Sequence, residues 1–450
     1  MTNESIGRLT VRLATPSAIG MAVIALYSLA DALFVSKLGT EAGAAVGVCF
    51  AIQALLQAVG YTLGLGAGSL ISQALGRKSI EDANTYARLA FFLSILLGIL
   101  IGGIGLLFSA PLMRMLGADE SILPYALAYA RYLFLASPLM CAVFVLSQLL
   151  RAEGCALYSM VGLVCGSLLN ILLDPILITH ASMGVSGASA ATCISQAVSL
   201  AVLLSAYLLG HSRVTLFKRE NPFRLREIPQ ILLLGLPSTL RQGLTVLATV
   251  LLNRAAALWS PSALTAISVV TRLFLLAFSF CLGVGQGMMP IAGYNYGNNN
   301  FKRVRKAFFF AIAISTVGMA ILGVLLMLFA PQLIAFFRND ADVVAIGTPA
   351  LRAQGAVLIL HGTVTCTILL AQAIGKPIRA SILAGARQGF FFVPLLLLLT
   401  KHFGVGSIIW VQPIADALTF LLALPFARSL LRHLLKKRTA ETPINGSPRK

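Results

Sequence analysis

Charged residues are scarce: Asp, Glu, Lys and Arg make up 11% of the 450 residues, where soluble proteins carry about 25%. That shortage excludes an ordinary water-soluble globule, because most of the surface must then face lipid. Acidic residues are the scarcest, 15 against 34 Lys and Arg, so a carboxylate inside an apolar run is informative. The seven cysteines include no CxxC and no metal-like or disulfide-like spacing; they read as small core residues. The five histidines are dispersed, so no metal site and no cofactor is expected. No secretory leader is expected, since residues 1–7 are polar and the apolar stretch that follows is long enough to stay in a membrane.

Apolar residues make up 58% of the chain. A bilayer core of about 30 Å needs roughly 20 of them per helical span. Apolar windows separated by polar or Gly/Pro connectors predict twelve helices, numbered 1 to 12, over residues 13–35, 43–72, 87–109, 125–150, 157–179, 187–209, 228–258, 263–291, 307–329, 348–374, 378–400 and 405–431. The fold class expected is an all-α polytopic membrane protein.

The formal charge of +19 would suit a nucleic-acid partner, but its location argues against one. The connectors on one side of the predicted bilayer hold 24 of the 34 basic residues, those on the other side hold four (Lys37, Arg114, Arg338, Lys401), and six lie within spans. Basic residues collect in cytoplasmic loops. Both termini are therefore expected in the cytoplasm of a bacterial inner (plasma) membrane protein, with a basic cytoplasmic tail over 432–450.

Two stretches about 220 residues apart read alike. Leu13 to Ser17 (LATPS) answers Leu234 to Ser238 (LGLPS), and Gly64, Gly66 and Gly68 answer Gly283, Gly285 and Gly287. Asp119 answers Asp340, Gly154 answers Gly375, Pro175 answers Pro394 and Gly187 answers Gly406. The series implies two pseudo-symmetric six-helix lobes, over 1–210 and 228–431, joined by a charged cytoplasmic loop over 211–227. Parallel repeats of this kind enclose a substrate path between the halves, which suits alternating access better than a channel or a membrane enzyme. The glycine triplets lie in apolar helices and follow no strand, so they serve helix packing rather than phosphate binding.

Ionisable residues within spans mark functional sites by default. Only Asp31, Asp174 and Asp416 are acidic there. Asp31 in helix 1, Asn170 and Asp174 in helix 5 and Thr192 in helix 6 fall at similar depth in the outer half of the first lobe. Asn170 and Asp174, four apart, share a helical face. Two carboxylates in one low-dielectric site cannot both stay ionised without a cation or proton, which makes the pair a natural exchanger of H+ or Na+. Pro175 removes the helix bond to the Ile171 carbonyl and should kink helix 5. Asp416 has no evident acidic partner: it is either an ion-pair partner of an arginine, Arg387 or Arg272, or a contributor to a substrate cavity. Arg254 and Arg352 can snorkel, whereas Arg131, Arg241, Arg272 and Arg387 lie deeper and should pair or line a cavity.

The segments LADALFVSKLG (29–39), SQALGRKSIEDAN (72–84), LLRAEGCALYSM (149–160), LLNILLDPILI (168–178), GASAATCISQ (187–196), PIAGYNYGNNNFKRV (290–304), RQGFFFVP (387–394) and WVQPIAD (410–416) together resemble the multidrug and toxin extrusion (MATE) family, in its MepA-like bacterial branch, over nearly the whole chain. The resemblance implies a V-shaped pair of lobes and an antiporter, acting as a monomer, that exports small-molecule drugs or toxins. It also implies cation ligands at Asp31, Asn170, Asp174 and Thr192, a carbonyl ligand at Ala188, and a bending role for Pro16 in helix 1. Some branches place cation-binding acids in helices 7, 8 and 10; here those helices hold no acid beyond Glu227 at the edge of helix 7, so coupling through that lobe is not expected. Two rivals are a lipid-linked oligosaccharide flippase, expected to show fourteen spans and a cavity crowded with cations, and a membrane lipid transferase, expected to show a catalytic cluster in a loop.

Overall fold

The computed structural model describes residues 4–36, 38–217 and 224–441, with side chains for all of these except 28–33, 35, 36, 40 and 438–441. Among the described residues twelve helices are long and apolar enough to cross a membrane, and they match the twelve predicted spans in order. Helices 1 to 6 are Ile6–Ser36, Thr40–Gly76, Ile80–Leu107, Leu123–Glu153, Ala156–Pro175 with a wider turn over Ile176–His180, and Val185–Leu208. Helices 7 to 9 are Ile228–Trp259, Pro261–Gly297 and Phe301–Leu328. Helix 10 is broken into Ala341–Val357 and His361–Ala373 by a tight turn, helix 11 runs from Pro377 to Phe403 through a wide π-turn at Ala386–Phe391, and helix 12 is Ile408–Glu441.

Most helices overrun their apolar windows, because backbone hydrogen bonding continues through polar residues where the chain enters the interface. Helix 3 begins with Glu81 and Asp82 in its first turn, where acids complement the helix dipole. Helix 12 runs ten residues beyond 431, so the start of the basic tail is helical; 442–450 lie outside the described residues. Two short helices, Ser109–Met115 and Ala330–Phe337, were not anticipated, being too short to span a membrane.

The repeat is visible in the backbone. Thr40, Gly76, Ile80, Leu107 and Ser109 begin or end elements whose counterparts are Pro261, Gly297, Phe301, Leu328 and Ala330, each 221 positions on. Paired features explain several of the sequence matches. Asp119 Oδ1 accepts from the amides of Ser121 and Ile122 ahead of helix 4, and Asp340 Oδ1 accepts from those of Asp342 and Val343 at the start of helix 10. These bonds satisfy amides that a helix start leaves open. Together with the Ser121 hydroxyl they hold the Asp119 carboxyl below its ordinary value. Gly154 and Gly375 both have positive φ, 92° and 75°, and close helices 4 and 10 in the left-handed conformation open to glycine.

The glycine triplets are paired differently from the sequence reading. A Cβ on Gly64 would meet the Gln148 side chain of helix 4, and one on Gly285 would meet Leu369 of helix 10. Gly66 approaches the backbone of Ile231 in helix 7, and Gly287 that of Ala14 in helix 1. Gly64 thus corresponds to Gly285, and Gly66 to Gly287; the sequence alignment of the triplets was displaced by two residues. Packing contacts, not glycine identity, fix the register.

The inter-lobe connector is tied to the first half where it is described. Buried Glu153 accepts from the Ser212 hydroxyl at 2.5 Å and the Arg213 amide at 2.9 Å, Asn84 Oδ1 accepts from the Thr215 amide at 2.8 Å, and Arg224 pairs with Glu81 and Asp82. The polar residues of the IEDAN and RAEG segments therefore dock this connector against helices 3 and 4. Lys218 and Arg219 fall outside the described residues.

Candidate functional site

Helices 5 and 6 bring three of the five expected coupling residues, Asn170, Ala188 and Thr192, into one hydrogen-bonded group. Asn170, Asp174, Ala188 and Thr192 are all buried. Asn170 Nδ2 donates to Thr192 Oγ1 at 3.4 Å, and that hydroxyl donates to the Ala188 carbonyl at 3.2 Å. Asp174 lies one turn further along helix 5, fully buried. The side chain of Asp31 lies outside the described residues, although its backbone belongs to helix 1.

Beside this group runs a cleft lined by Tyr27 of helix 1, Ser167 and Asn170 of helix 5, and Thr192, Ser195 and Gln196 of helix 6. Ser195 and Gln196 were not singled out from the sequence. Thr192, Ser195, Gln196 and Ser199 recur at the spacing of one helical face, and that polar stripe was the available signal. Asn170 Oδ1, Ser195 Oγ and Gln196 Oε1 are buried and make no hydrogen bond among the described residues. Uncommitted oxygens beside a buried carboxylate are the chemistry that a small hard cation needs.

Pro175 ends the regular part of helix 5, and the wider turn over Ile176–His180 follows at once. Its carbonyl accepts from the Thr179 hydroxyl. Pro16 sits inside a helix 1 that remains continuous on both sides of it.

Asp416 of helix 12 is an ion-pair residue. Its Oδ1 accepts from Arg387 Nε at 2.6 Å and Gln412 Nε2 at 2.9 Å; its Oδ2 accepts from Gln354 Nε2 at 2.8 Å and stands 3.2 Å from His361 Nε2. The Arg387 guanidinium also lies over Phe274 and Phe278, 4.8 and 5.5 Å from their ring centres. Both irregular turns serve this cluster: His361 follows the break in helix 10, and Arg387 sits in the π-turn of helix 11. Arg272, the other candidate partner, is exposed on helix 8 and forms no ion pair among the described residues. His361, Gln354 and Gln412 were not anticipated; Gln412 and Asp416 at i, i+4 was a legible pair.

Comparison with known proteins comes after this geometry. The MatE family model matches residues 16–176 and again 237–397, two copies at the 221-residue spacing of the backbone. The multidrug export protein MepA of Staphylococcus saprophyticus is 27% identical over 425 residues, covering 94% of this chain and 92% of that one. MepA of Staphylococcus aureus is 28% identical over 432 residues with the same shares. Among solved structures, an outward-facing multidrug resistance MATE family transporter of the MOP superfamily superposes with a TM-score of 0.92 at 29% identity, covering 96% of this chain and 97% of that one. A MOP superfamily transporter from Pyrococcus furiosus gives 0.91 at 28%, with 96% and 97% covered. With twelve spans, a duplicated family match and likeness over nearly its full length, the chain belongs to the MatE family.

Proposed function

We propose that the protein is a cation-coupled antiporter, using H+ or Na+, that exports lipophilic and often cationic drugs and other xenobiotics from the cytoplasm by alternating access. The observation that supports this best is the buried, hydrogen-bonded group of Asn170, Thr192 and the Ala188 carbonyl in the first half, with the buried Asp174 one helical turn from Asn170. Helix 1 supplies Asp31 to the same half, at the depth deduced from helical rise. In this reading a cation arriving from outside neutralises Asp31 and Asp174, changes how helix 1 packs, and weakens the hold on the drug. Cation and drug then compete through one bistable element. The flippase reading anticipated a cationic cavity, and the second half has one; the described residues hold twelve spans rather than fourteen, and the full-length relatives are named as multidrug exporters.

The test is efflux from proteoliposomes energised separately by a proton or a sodium gradient. Asp31→Asn and Asp174→Asn should each abolish gradient-driven efflux while the proteins keep the helical content and melting behaviour of the parent. Full efflux by Asp31→Asn would remove the coupling claim.

A further inference from the structure

Between helices 7, 8, 10 and 11, with Leu65 of helix 2 at its edge, lies a cavity that belongs mostly to the second half. Arg241, His361, Arg387 and Gln388 line its polar side, and Phe278 and Leu282 belong to its apolar side. The charge on this wall is unbalanced. Asp416 is fully committed, with both oxygens engaged by Arg387, Gln412, Gln354 and His361. Arg241 has no carboxylate within 4 Å among the described residues, and it lines the same cavity as Arg387, a second cation. Arg387 Nη2 and Gln388 Oε1 are buried without a hydrogen-bond partner among the described residues. An unpaired guanidinium at membrane depth is costly, and its planar fork matches a carboxylate. A cationic drug entering here would meet two guanidiniums and no uncommitted carboxylate.

We propose that this cavity binds the carboxylate of an amphipathic aromatic acid, with Arg241 and the open edge of Arg387 holding the anion and Phe278 packing on the ring. Organic anions then join lipophilic cations among the substrates. This consequence rests on the transport reading; the binding itself does not, because it requires no ion gradient.

The experiment uses the full chain in nanodiscs of phosphatidylcholine, free of anionic lipid, with binding followed by titration calorimetry. The probes are naphthalene-2-carboxylate and its neutral isostere naphthalene-2-carboxamide. The acid should bind about tenfold or more tightly than the amide. Arg241→Gln should bring the acid down to the affinity of the amide without changing the amide, and Arg241→Lys should keep part of the preference. Should Arg241→Gln fail to fold, the acid-to-amide ratio of the parent and of Arg241→Lys decides. Equal affinity for both probes in the parent, or parental binding of the acid by Arg241→Gln, overturns the proposal. The acid preference should persist in Asp31→Asn, so that this reading and ion coupling fail separately.

Discussion

At the scale of single residues, the two halves solve one backbone problem with different side chains. Helices 2 and 8 are each followed by a turn that places one residue at positive φ: Lys78 at 63° and Asn299 at 56°. Asparagine tolerates this region, whereas lysine is strained by contact of its Cβ with the neighbouring carbonyl, at about 1–2 kcal/mol. Lys78→Gly relieves that strain but also loosens the unfolded chain, so the net gain should be about 0.5–1 kcal/mol. Gly154→Ala should lose about 1–2 kcal/mol, since it brings the same strain to a position with a φ of 92°. Thermal unfolding of the two variants in detergent checks both signs; a lower transition for Lys78→Gly would show that this turn is not strained.

At the scale of elements, the twelve helices and their order were legible because a membrane span is encoded by long local apolar runs. The wide turn carrying Arg387 and the break before His361 were not, since such turns are selected by the packing of helices 10, 11 and 12 around Asp416. The first-half candidate site was proposed from the i, i+4 spacing of Asn170 and Asp174 and from family likeness, whereas the Ser195 and Gln196 wall beside Asn170 and Thr192 needed the helix 5–helix 6 contact to be seen. Small residues could be assigned to packing, but not to particular partners. Gly66 meets helix 7 so closely that a Cβ would stand 2.1 Å from the Ile231 carbonyl oxygen, and one on Gly235 would stand 2.0 Å from that of Thr62. Both obstacles are backbone and cannot rotate away. Gly66→Ala should therefore force helices 2 and 7 apart, costing about 1–3 kcal/mol and slowing efflux. Parental efflux and melting behaviour in that variant would show that the close approach is dispensable.

Across the whole molecule, these close approaches lie from the middle of helix 2 towards the end at which helix 1 begins and helix 12 finishes. There Gln73 Nε2 of helix 2 donates to the Ala373 carbonyl of helix 10 at 2.8 Å, Arg151 of helix 4 donates to Gln286 of helix 8, and Gly76 and Gly297 pack on the backbones of helices 8 and 2. Towards the opposite end, a Cβ on Gly43 or Gly47 of helix 2 would find nothing within 4 Å. Among the described residues the halves are thus joined mainly at one end, and the alternating access proposed above requires that joint to part. At its inner limit Thr62 Oγ1 of helix 2 and Thr239 Oγ1 of helix 7 are 2.5 Å apart, with Gln242 bonded to Gln57 at 2.9 Å alongside. Side chains that meet so closely suit a disulfide, whose Cβ atoms sit about 3.5–4.5 Å apart. Oxidation of a Thr62→Cys, Thr239→Cys double variant should stop efflux, and reduction should restore it. Either substitution alone, beside the seven native cysteines, should leave efflux insensitive to oxidant. If the cross-linked protein exports at the parental rate, the halves do not separate along helices 2 and 7, and the cycle must open elsewhere.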